Sequence, residues 1–171
     1  ALIDEEGIES PVLVGWSMGV QVSIEHAARK ALPRAIIALM GTPGRPFRTA
    51  FHTDALEPRV EGLVRFARAH WRRLAWTRPF SSRTPIVWAF IRAMQLAGVI
   101  GRTLDRDAFY ALGREFALLD FDVYVTVFGH LAEHDTTELL PTVDCPVLVV
   151  GGERDPFTPM SCSVDLVRGL P

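Results

Sequence analysis

The chain has 171 residues, 49% of them hydrophobic, and a net charge of −2, which suits one globular domain or a large part of one. That balance gives no electrostatic ground for a nucleic-acid partner, and no run approaches the ~18 apolar residues of a membrane-spanning helix. The opening ALIDEEGIES is acidic and unlike a secretory leader, so a cytoplasmic setting is expected. It begins without Met, so the true N-terminus, with any leader on it, is expected upstream.

The first element is PVLVGW (11–16), a short apolar run bounded by Pro and Gly that predicts a strand buried on both faces. Residues 18–31 follow with Val20, Ile24, Ala27, Ala28 and Ala31 near helical spacing, closed by Pro33. RAIIALMG (34–41) predicts a second buried strand, ended by the turn-rich GTPGRP. Strand, helix and strand make a βαβ unit, so a parallel sheet is expected. Between 48 and 138 the patterns are helical, at 59–76, 84–99, 105–118 and 121–134. CPVLVVGG (145–152) predicts a third strand, followed by a loop and a last helix over 160–168. The fold class expected is α/β, with core residues 1–47 and 139–171 and an all-helical insertion at 48–138.

Charge divides along similar lines. Residues 45–106 hold 12 Arg against four acids, and residues 107–171 hold 11 acids against three Arg. With 17 Arg and one Lys in the chain, the Arg preference reads as compositional bias. RFARAHWRRLAWTRPF (65–80) interleaves Arg with Trp71, Trp76 and Phe80, while Leu63, Phe66, Ala67, Trp71 and Leu74 share a helical face. An amphipathic packing helix is the expectation; contact with a membrane surface or an acidic lipid-like substrate is the alternative.

Gly15-Trp16-Ser17-Met18-Gly19 is a G-x-S-x-G motif set between a strand and a helix, the context such a motif requires. A serine at so tight a turn takes a strained backbone that lifts its hydroxyl clear of the sheet edge. Side chains two positions either side would collide with strand and helix, which favours Gly15 and Gly19. The turn also aims the Met18 N–H toward a developing oxyanion. Ser17 as a plain helix cap would explain the serine but not the flanking glycines. A serine nucleophile needs a base, and the base an acid. In VLVVGGERDPFTP, Asp155 follows the third strand and would share Ser17's sheet edge. Glu153 competes for the role, and Asp-Pro also suits an ordinary turn.

The elbow at 15–19, the GERDPFTP segment and the helical block between them resemble the α/β-hydrolase superfamily, in its capped esterase, lipase and perhydrolase-like branch. The resemblance implies Ser17 as nucleophile, Asp155 as triad acid, residues 48–138 as a cap, and no metal or organic cofactor. Trp16 and Phe157 would line the substrate pocket, and an apolar cap face would suit a small, partly hydrophobic ester. Val20 departs from the small residue frequent at its position. The family order also places a base His after Asp155 and an oxyanion element ahead of the elbow. No histidine follows His134, so an internal fragment of a longer hydrolase is expected. His26 lies too far along its helix to serve, and His52 and His70 belong to the insertion. His130 and His134 at i, i+4 beside Asp135 lack the Glu and third ligand of a zinc site. Cys145 and Cys162 show no ligand spacing and are expected reduced. Perhydrolase or haloperoxidase-type chemistry uses the same triad, and a ligand-sensing accessory domain is the reading from another class.

Overall fold

The computed structural model describes residues 2–30, 33–49 and 120–171 without interruption, and selected positions between 59 and 115. In chain order the elements are α1 (Leu2–Glu5), β1 (Val12–Trp16), α2 (Met18–Arg29), β2 (Ala35–Leu39), α3 (Pro46–Thr49), α4 (Phe121–Glu133), a 3-10 segment (Thr137–Thr142), β3 (Val147–Val150) and α5 (Met160–Gly169). The chain divides into two compact units, Ala1–Val60 with His130–Pro171, and Glu61–Gly129.

In the first unit the three strands form one parallel sheet in the order β1-β2-β3. Its core uses the period-2 alternation of the strands. Leu13, Ile36 and Val147 stand level across the sheet, as do Gly15, Ala38 and Val149. These rows pack with Val20, Ile24 and Ala27 of α2, Leu140 of the 3-10 segment and Leu166 of α5. The α2 residues recur at i, i+4 and i+7, one stripe of a helix. Each such fully buried aliphatic side chain contributes about 1.5–3 kcal/mol over leaving it exposed.

The opposite face corrects the expectation of strands buried on both sides. The rows Val14–Ile37–Leu148 and Trp16–Leu39–Val150 lie there, and Val14, Trp16, Leu148 and Val150 are exposed. The physical reason is that α2, α5 and the 3-10 segment join the core cluster built on the other face. An all-apolar strand needs cover on both sides, and among the described residues it has cover on one.

The described residues of the second unit are helical apart from Gly101, Asp105 and Asp120. The Asp105 carboxylate accepts the N–H groups of Asp107 and Ala108, at 3.0 and 3.1 Å, as a helix cap does. The helices expected at 59–76, 84–99 and 105–118 fall largely outside the described residues, as does His52. The one expected at 121–134 is α4.

Candidate active site

β1 ends at Trp16, and Ser17 makes the turn into α2 with φ 53° and ψ −116°. Its N–H donates to the Leu39 carbonyl at 3.0 Å, continuing the sheet ladder one step beyond β1. Its own carbonyl accepts the Val20 N–H at 3.1 Å and so starts the helix. The Ser17 side chain makes no capping hydrogen bond, and the residue is exposed. Strand pairing on one side and helix start on the other thus hold a backbone conformation that L-residues rarely adopt.

Gly15 shows why the turn demands glycine: an added Cβ would lie 2.6 Å from Gly19 C and 2.7 Å from Val20 N. Gly19 does not repeat this. A Cβ there meets nothing within 4 Å among the described residues, which corrects the steric reason expected for the second glycine. The close approach belongs to Gly41 instead, whose added Cβ would lie 2.6 Å from Val20 Cβ and 2.8 Å from the Ser17 carbonyl oxygen. As the first residue of α2, Met18 has no earlier helical carbonyl for its N–H.

Asp155 lies on the loop after β3, on the same carboxyl edge and two strand spacings, roughly 10 Å, from β1. Its Oδ1 accepts the N–H groups of Phe157 (2.8 Å) and Thr158 (3.0 Å), and its Oδ2 accepts the Thr158 hydroxyl (2.7 Å). Three of about four acceptor positions of a carboxylate are thereby filled within its own loop. Glu153 is exposed on that loop, as are Phe157 and, at the end of β1, Trp16.

Two of the described histidines have partners of their own. His134 Nε2 is 3.2 Å from Glu25 Oε2, and Glu25 also pairs with Arg29 at 2.7 Å. His70 Nδ1 bonds the Phe66 carbonyl at 3.0 Å, and its ring stacks on that of Phe66. His26 sits in the last turn of α2, and His130 is exposed on α4. Asp135 lies just ahead of the 3-10 segment and its Oδ1 accepts the Thr137 N–H at 3.0 Å. Burial raises its carboxyl, but the Thr137 hydroxyl and N–H, Arg45 and His134 more than offset this, so its pKa falls below 3.8. Neither Cys145 nor Cys162 is in a disulfide; burial and the neighbouring Asp144 push the Cys145 thiol up, keeping it neutral.

Sequence reasoning missed Gln21. It is 1% exposed, and its Nε2 donates to the carbonyls of Gly44 (2.7 Å), His134 (3.3 Å) and Pro43 (3.4 Å), while Oε1 has no partner among the described residues. Thr136 adds its N–H and hydroxyl to the Pro43 carbonyl at 2.7 and 2.8 Å. The loop leaving β2 is thus tied to the segment entering the 3-10 helix. A polar residue beside Val20 on the apolar stripe was the available signal. A cleft of about 460 Å³ opens beside this tie, bordered by Gly44, Arg45, Asp135 and Arg168, and it touches neither Ser17 nor Asp155.

The model of the alpha/beta hydrolase family matches residues 1–170. No curated protein matches the chain. Among solved structures, it is similar to MenH from S. aureus (TM-score 0.66, 14% identity), the enol-lactonase from Burkholderia xenovorans LB400 (0.63, 17%) and VinJ (0.60, 20%). Each likeness covers 99% of this chain and 59%, 57% and 58% of the respective structure, so the chain spans under two thirds of their length.

Proposed function

We propose, for a chain that belongs to the alpha/beta hydrolase family over residues 1–170, that the whole protein hydrolyses an ester or related acyl bond through an acyl-serine at Ser17. One observation carries the reading: Ser17 is held at φ 53° between a parallel strand and a helix, exposed at the carboxyl edge. A cap serine has no need of that strain, whereas a nucleophile lifted off the sheet does.

In this reading a histidine outside these 171 residues takes the Ser17 proton as Oγ bonds to the acyl carbon. The Met18 N–H, with a second donor, holds the oxyanion. Collapse expels the leaving group, which takes the proton back from the histidine, and water then releases the acid by the same steps. Asp155 orients that histidine. Its one remaining acceptor position, on Oδ2, is the place for the imidazole N–H, and the three loop donors fix the carboxylate for it. Residues 48–138 form the cap, and the substrate is a small molecule with an apolar acyl part.

Turnover of p-nitrophenyl esters by the full-length protein tests this. Ser17→Ala should remove it by about 10³-fold or more. Undiminished turnover in that variant would rule Ser17 out.

A further inference from the structure

Three of the chain's four methionines sit where strands end. Met18 opens α2 directly after Ser17, Met40 is the first residue beyond β2, and Met160 opens α5 beyond the loop from β3. The strands are parallel, so the three positions share the carboxyl edge that carries Ser17. Met160 lies against the strand end itself, its Sδ 3.4 Å from where a Cβ of Gly151 would be. All three are part-exposed to nearly the same degree, 40%, 38% and 39% for Met18, Met40 and Met160.

Met40 is the telling member. It stands level with Ser17, since Trp16 pairs with Leu39 and each following residue donates its N–H across to the next strand. Its φ of 44° suits glycine far better than a long side chain. Glycine does occupy the next position, where it packs on Val20 and the Ser17 carbonyl. A thioether kept at a conformational cost beside a strained serine points to use of the side chain. Methionine is unbranched, polarizable and free to re-pack, so it suits flexible apolar ligands better than one rigid shape.

Resting on Ser17 as the acyl-accepting residue, we infer that Met18, Met40 and Met160 form an adaptable apolar rim that receives a flexible, unbranched acyl chain, with Met40 setting the chain-length preference. Two measurements on the full-length protein test it. In the first, hydrogen peroxide transfers one oxygen atom to each exposed thioether, leaving a sulfoxide and water, and mass spectrometry follows each methionine. Octanoate at twice its Kd should slow oxidation of all three by about threefold, because 1 + [L]/Kd sets the free fraction, whereas equimolar acetate should not. The Ser17→Ala protein should show the same protection, so this arm stands even if Ser17 is no nucleophile. Equal oxidation rates with both acids would overturn the rim. In the second, Met40→Asn should lower the octanoate-to-acetate ratio of kcat/KM for p-nitrophenyl esters by about tenfold, and Met40→Leu should restore it to near the parent value. A ratio unmoved by Met40→Asn would overturn the role of Met40.

Discussion

Ser17 and Met40 stand side by side at the ends of neighbouring parallel strands, and both have positive φ, 53° and 44°. Among the described residues they are the only non-glycine positions in that region. The Ser17 N–H reaches Leu39 O and the Met40 N–H reaches Val150 O, at 3.0 and 2.8 Å, so one ladder holds both. Each such residue costs of the order of 1–3 kcal/mol. Ser17→Gly should therefore raise the unfolding free energy by about 1 kcal/mol in chemical denaturation, while any turnover is lost. A variant less stable than the parent would show that the turn is unstrained.

The two elbow glycines should respond with opposite signs. Gly15→Ala drives a methyl group into the Gly19 carbonyl and the Val20 nitrogen, and overpacking of that kind costs about 1–3 kcal/mol or more. Gly19→Ala meets nothing within 4 Å among the described residues and gains up to about 1 kcal/mol of helix propensity. Thermal unfolding of the pair checks this, and equal losses at both positions would contradict it.

Much of this was legible in the sequence because the signals are local. The apolar run 12–16, the stripe Val20–Ile24–Ala27 and the break at Pro33 each declare their element. What could not be read was long-range or conformational. Gln21 closes a tie between loops 22 and 113 residues away along the chain, and Met40 carries no residue type that announces positive φ. The Gly19 expectation failed because motif spacing says which residue stands at a position but not what approaches it. The expectation of two-sided burial failed because hydrophobicity reports a need for cover, not where the cover comes from.

Asp155 separates a turn residue from a triad acid. Asp155→Asn keeps an oxygen for the Phe157 and Thr158 N–H groups, so the unfolding free energy should drop by no more than about 1 kcal/mol. As triad acid its loss should lower kcat by about 10³–10⁴-fold in the full-length protein. Thr158→Val should cost similar stability with a far smaller kinetic effect. Parallel kinetic losses in the two variants would leave Asp155 as a turn residue.

Asp135 gives a pH dependence of definite sign. Its folded pKa lies below the ordinary 3.8, so its contribution is present above that value and lost as pH falls through the folded pKa. Asp135→Ala should lower stability at pH 7 by about 1 kcal/mol, the scale of a lost hydrogen bond, and the difference from the parent should narrow as pH falls through the folded pKa. A difference that widens in acid would reverse the assignment.

The most direct measurement is mass-spectrometric mapping of a fluorophosphonate adduct on the full-length protein. A Ser17 nucleophile requires a single stoichiometric adduct on the peptide containing Ser17, abolished by Ser17→Ala. An adduct on another residue, or esterase turnover that persists without modification of Ser17, would contradict it.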